Sequence, residues 1–150
     1  MYKRKLKELR NNLNLTQEDI AKQLNLSKSQ YNNYETEYVT IPIKHLNNLC
    51  NFYNTSLDYI FEFSKDLNYE NSHKEINKEK SGLRLKELRK EKHLNQTKLA
   101  KYLNTTFTTI SSYERGINII NTNYLYAICQ KYNISADYLL GKTDNPKYLK

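Results

Sequence analysis

Residues 16–35 read TQEDIAKQLNLSKSQYNNYE, and they hold two short amphipathic helices with almost nothing between them. Thr16 stands before Gln-Glu-Asp, a capping residue followed by acids in a first helical turn. Ile20, Ala21 and Leu24 then recur at helical spacing. Only Asn25-Leu26 separates that stripe from Ser27, the cap of a second helix whose inner face carries Tyr31 and Tyr34. Helices this short, joined this tightly, are predicted to cross steeply as a helix-turn-helix.

The stretch returns at residues 95–114 as NQTKLAKYLNTTFTTISSYE. A constant offset of 79 carries residues 6–65 onto 85–144 without a gap, aligning Gln17 with Gln96, Ala21 with Ala100, Tyr34 with Tyr113, Cys50 with Cys129 and Asp58 with Asp137. A period this long, occurring twice, is not a solenoid repeat. It predicts an all-α chain of two tandem small domains, residues 1–65 and 82–150, joined by a polar linker at 66–81. Each domain is expected to hold five helices. In the first copy, further stripes are Leu6, Leu9 and Leu13, then Leu46, Leu49, Cys50 and Tyr53, then Leu57, Ile60 and Phe61. Pro42 suits a first helical position, and Ser56 with Asp58 opens the last helix. The second copy repeats these signals at Asn95, Thr106, Asn121 and Ser135. As flexible coil, the segment between the copies would have an r.m.s. span of roughly 20–25 Å. Its KEINKEK stretch could instead extend the following helix by a turn or two.

Composition narrows the function. The net charge of +8 suggests a polyanionic partner. It is uneven: residues 1–65 carry +2, residues 66–81 carry −1 and residues 82–150 carry +7. Cys50 and Cys129 fall inside apolar helical stripes and read as small buried hydrophobes in a reducing compartment. His45, His73 and His93 show no ligand spacing, so no metal is expected. No apolar run is long enough for a membrane span, and the basic start MYKRKLKELR lacks the apolar stretch of a signal peptide. A cytoplasmic protein is expected. There is no Ser/His/Asp or Cys/His set and no glycine-rich phosphate loop, so neither catalysis nor a cofactor is expected.

Several motifs carry a resemblance: LKELR, L(T/N)Q, the alanine of the second helix, YE after the third and (S)xDY(I/L) at the end of each copy, with YERG and DYLLGKTDNP in the second. The chain resembles the Xre family of helix-turn-helix proteins, which includes the lambda-repressor-like and Cro-like domains. The resemblance implies compact five-helix domains that bind double-stranded DNA as a transcriptional regulator of bacterial or phage origin, with a repressor expected. It implies that Gln17 and Gln96 lie near the DNA backbone and brace the recognition helix. It also implies that Arg10 pairs with Glu35 and Arg89 with Glu114, as structural ion pairs.

The residues themselves point the same way. Short polar side chains near the start of a recognition helix can reach base edges in the major groove. Lys28, Ser29, Gln30 and Asn33 fit this in the first copy, with Gln and Asn suited to adenine. Phe107, Thr108, Thr109 and Ser112 fit it in the second, their apolar atoms suited to thymine methyls. The helix-start residues Thr16, Ser27, Asn95 and Thr106 belong to the same DNA-facing set, and Arg115 is expected on phosphate. One departure weakens the first copy: Thr36-Glu37 stands where the second has Arg115-Gly116, so a strained Glu is expected beside the DNA backbone. Two readings therefore stay open. Both copies read half-sites, or only the second binds DNA and the first is a dimerisation or protein-interaction module, with a second copy or a regulatory protein as its partner.

Overall fold

The computed structural model describes residues 1–149. Among them are ten helices and no strand, only an isolated bridge between Ile134 and Tyr148. The chain divides at residues 68 and 69 into two compact units. Unit 1 holds α1 (Lys3–Asn12), α2 (Gln17–Gln23), α3 (Lys28–Glu35), α4 (Ile43–Tyr53) and α5 (Leu57–Ile60). Unit 2 holds α6 (Lys78–Glu91), α7 (Gln96–Tyr102), α8 (Phe107–Glu114), α9 (Thr122–Tyr132) and α10 (Ala136–Leu139).

Capping side chains start most of these helices. Thr16 accepts from the Asp19 N–H and Ser27 from the Gln30 N–H, each closed into a reciprocal capping box. Asn95, Thr106, Ser56 and Ser135 cap α7, α8, α5 and α10, each side-chain oxygen accepting from the N–H three residues on. Pro42 stands one place earlier than expected: its extended ψ of 144° makes it the residue before α4. Left-handed Asn25 and Asn104, both at φ 56°, turn the chain between α2 and α3 and between α7 and α8. Asn tolerates that conformation better than most residues. The Leu26 and Thr105 N–H groups close these turns onto Ala21 O and Ala100 O, both at 2.8 Å.

The apolar stripes meet inside each unit. Leu6, Ile20, Tyr31, Leu46, Leu49, Cys50, Leu57 and Ile60 are fully enclosed in unit 1. Leu85, Ile110, Leu125, Cys129 and Leu139 are the unit 2 counterparts of Leu6, Tyr31, Leu46, Cys50 and Ile60. Each such side chain contributes ~1.5–3 kcal/mol by leaving water. Both cysteines are buried thiols.

The segment between the repeats is largely bound to the units rather than free. Ser56 donates from its N–H to Leu67 O and from its hydroxyl to Asp66 O, and Asn68 Nδ2 reaches Asn54 Oδ1. Glu70 O accepts from Asn145 Nδ2, and the His73 N–H donates to Lys142 O. Asn77 then caps α6, whose first turn takes up Lys78 to Ser81. The coil estimate fails here because backbone groups of this segment find partners on the neighbouring domain.

That extra turn of α6 explains a paired difference between the repeats. Gly116 and Gly141 both have left-handed backbone, at φ 71° and 74°, and both lie against the new turn. A Cβ on Gly141 would come within 2.9 Å of Asn77 Cβ and 3.0 Å of Lys80 Cβ. In unit 1 the equivalent residues are Glu37 and Glu62, also left-handed at φ 63° and 61°. Their side chains fold back onto α1. Glu37 accepts from the Tyr2 N–H at 2.6 Å and the Lys3 N–H at 3.1 Å, and Glu62 pairs with Arg4.

Candidate nucleic-acid interface

A single guanidinium fixes the helix-turn-helix of each unit. Arg10, on α1, donates from Nε to Glu35 Oε2 at 2.9 Å and from Nη2 to Oε1 at 2.8 Å. Its Nη1 reaches Leu15 O at 2.9 Å. Gln17 Nε2 approaches the same carboxylate at 3.4 Å. The fork thus ties α1, the entry to α2 and the last turn of α3. Unit 2 repeats it: Arg89 donates to Glu114 at 2.7 and 2.8 Å and to Leu94 O at 2.9 Å, with Gln96 Nε2 at 3.3 Å. The Arg10 and Arg89 side chains are each only 11% exposed, which withholds them from a large polyanion. Burial pushes the Glu35 carboxyl up, but the hydrogen bonds and charge of Arg10 and the hydrogen bond from Gln17 outweigh it and hold the pKa below the ordinary value.

The fork holds α3 and α8 with one face inward. Tyr31 and Ile110 are fully buried on that face. On α3, Lys28, Ser29 and Gln30 are exposed and Asn32 and Asn33 half-exposed. Gln30 is partly committed: its Oε1 accepts from the Ser27 N–H at 3.1 Å, leaving only its amide N–H groups outward. In this rotamer it lacks the acceptor that a two-bond contact with adenine needs. On α8, Phe107 is 58% exposed, and Thr108 and Arg115 face solvent. Thr106 and Thr109 share a hydroxyl contact at 3.1 Å. Ser112 donates its hydroxyl to Thr109 O at 2.8 Å and accepts from Asn118 Nδ2 at 3.3 Å. Three of the hydroxyls expected on bases thus have internal partners.

Glu37, which the sequence suggests as a carboxylate beside DNA, accepts from the Tyr2 and Lys3 N–H groups. Its oxygens are turned into the start of α1, away from a purely solvent-facing role. Burial opposes its ionisation, but the chain's ammonium and the Tyr2 and Lys3 N–H groups hold its pKa below the ordinary value.

Charge separates the units more sharply than their totals suggest. Residues 16–40 contain Lys22 and Lys28 against Glu18, Asp19, Glu35 and Glu37. Residues 95–119 contain Lys98, Lys101 and Arg115 against Glu114 alone. With the internally bound Glu35, Glu37 and Glu114 set aside, residues 16–40 keep two exposed acids against two lysines, and residues 95–119 keep three exposed cations and no exposed acid. Exposed Lys98 and Lys101 and half-exposed Asn32 lie on the helices of these two motifs, and the repeat alignment sets Lys98 against Asp19 in the first turn of the second helix.

No helix is long and apolar enough to cross a membrane, and no group of three or more His, Cys, Asp or Glu side chains could hold a metal, among the described residues.

Comparison with known proteins gives the family. Among curated proteins, the chain is 39% identical over 66 residues to the HTH-type transcriptional regulator ImmR of Bacillus subtilis (strain 168), covering 44% of this chain and 52% of that protein. It is 36% identical over 66 residues to the uncharacterized HTH-type transcriptional regulator YobD of the same organism, covering 44% and 59%. It is 33% identical over 61 residues to the antitoxin PezA of Streptococcus pneumoniae serotype 4, covering 41% and 39%. The chain spans about half the length of these first two relatives. No solved structure gives a significant match. A helix-turn-helix family model matches residues 6–60 and again residues 85–139. Those two stretches make up most of the chain, and the protein belongs to the Xre-like helix-turn-helix family, carrying its domain twice in tandem.

Proposed function

We propose that the protein is a sequence-specific, duplex-DNA-binding transcriptional regulator of repressor type, whose two helix-turn-helix units engage two half-sites on one DNA molecule. The carrying observation is that each unit holds a capped helix, α3 or α8, by the same buried Arg-Glu-Gln fork, with its polar face open to solvent. Because α3 and α8 differ in sequence, the two half-sites differ and the operator is not a palindrome. Covalent linkage of two weak domains gives avidity gains of ~10²–10⁴.

One observation favours a second reading, in which only unit 2 contacts DNA. Glu18 and Asp19 open α2 of unit 1, where a phosphate would approach, and Thr97 and Lys98 open α7 of unit 2. Selection of bound duplexes from a random pool separates the readings. The intact chain should recover two linked motifs and bind more tightly than a one-to-one mixture of the separate halves. A single motif, recovered equally by unit 2 alone, selects the second reading. Failure of the intact chain to enrich any duplex removes both.

A further inference from the structure

The geometry points to a division of labour on DNA: unit 2 supplies the phosphate-driven affinity and reads thymine methyls through Phe107, and unit 1 reads base edges through Lys28, Ser29, Asn32 and Asn33. This rests on the DNA-binding reading above and assigns a different chemistry to each half of its site.

The first support is what remains free on α8. A recognition helix with Thr106, Thr109 and Ser112 looks rich in hydroxyl donors. In the folded unit those hydroxyls are bonded to one another, to Thr109 O and to Asn118 Nδ2. What projects from its first turn is the Phe107 ring, 58% exposed, with Thr108 beside it. A ring held in water at that place has most to gain from an apolar group, and the only such group on a base edge in the major groove is the thymine 5-methyl.

The second support is the opposite state of α3. Lys28 and Ser29 are exposed, and Asn32 and Asn33 are half-exposed on the same helix face, four residues on from them. Their side-chain donors and acceptors are open toward solvent. Asn presents a donor and an acceptor together, the pattern that pairs with adenine, and Lys donates to guanine.

The third support is electrostatic. Counterion release supplies most non-specific affinity and scales with the number of phosphates neutralised. Around the helix-turn-helix of unit 2, the exposed Lys98, Lys101 and Arg115 meet no exposed acid. Around that of unit 1, Lys22 and Lys28 are offset by exposed Glu18 and Asp19. Unit 1 therefore has readers without anchors, and unit 2 has anchors with few hydrogen-bonding readers.

The test uses the intact chain and the duplex it selects. One strand set replaces thymine by deoxyuridine in one half-site, a second set in the other, removing only methyl groups. Loss of a contacted methyl should weaken binding about fourfold, in one half-site only. The Phe107→Ala chain should bind both forms of that half-site alike, whereas the Asn33→Ala chain keeps the difference and changes base preference in the other half-site. Phe107 is exposed, so its replacement should leave the melting temperature unchanged. Replacing Lys98, Lys101 and Arg115 together by Gln should flatten the slope of log K against log salt by about 2.7, at about 0.9 per phosphate. The same change at Lys22 and Lys28 should flatten it by about 0.9 at most, because Lys28 is assigned to a base edge and only Lys22 is left for phosphate. Methyl sensitivity that is absent, or that survives Phe107→Ala, overturns the inference, as does equal flattening by the two sets of lysine changes. If the chain binds no duplex, the functional reading itself falls.

Discussion

The Tyr2 N–H donates to Glu37 Oε1 at 2.6 Å, so a residue just beyond α3 closes the open start of α1. Glu37 holds left-handed backbone to do so, at φ 63°. Non-glycine residues there cost ~1–2 kcal/mol, which the satisfied N–H groups of Tyr2 and Lys3 offset. In unit 2 the extra turn of α6 fills the same space, and the residue is Gly116.

Removing the Glu37 carboxylate should therefore act on stability, not on DNA. Glu37→Ala is expected to destabilise unit 1 by ~0.5–2 kcal/mol, the range for a lost cap. Chemical denaturation of the full chain measures this. The salt slope of DNA binding should be unchanged, and a steeper slope would return Glu37 to the DNA surface.

The Arg10 fork is expected to matter more. Arg10→Ala leaves Glu35, itself 3% exposed, without its main partner, and breaking a buried pair costs ~3–5 kcal/mol. Arg10→Lys should rescue poorly, because one ammonium cannot match the paired donation to both carboxylate oxygens. If Arg10→Ala costs under about 1 kcal/mol, as exposed pairs do, the fork is not a structural clamp.

Acid should weaken unit 1 through the same carboxylates. Glu35 and Glu37 both have native pKa values below their ordinary 4.5. A carboxylate lowered in the native state binds protons more readily when unfolded, so its contribution is complete above about pH 4.5 and is lost as pH falls through the native value. Thermal midpoints of the full chain should decline below about pH 4.5, and the decline should be shallower for Glu35→Gln measured against its own neutral-pH midpoint.

Gly82 should resist enlargement. A Cβ there would meet Tyr113 O at 2.5 Å and Glu114 O at 2.6 Å, both backbone atoms at the end of α8. Gly82→Ala is expected to destabilise unit 2 by ~1–3 kcal/mol, as overpacking does, despite the better helix propensity of Ala. It should also lower DNA affinity, because the displaced element is the recognition helix. A stabilised variant with unaltered binding would mean that α6 yields without moving α8.

The sequence by itself determined the repeat, the five helices expected of each copy and most of their caps. Those features are local: a cap such as Thr16 bonds Asp19 three residues on, and an apolar stripe such as Ile20, Ala21 and Leu24 is set within one turn or two. It also pointed to Arg10 and Glu35 through family resemblance. Tertiary structure alone decided where shared side chains spend their bonds. Glu37 reads in sequence as a carboxylate near DNA, and in the fold it accepts from the Tyr2 and Lys3 N–H groups at the start of α1. Such outcomes depend on groups brought together from distant parts of the chain, as Tyr2 and Glu37 are. No periodicity or spacing records which of several available partners lies within hydrogen-bonding reach once the helices have packed.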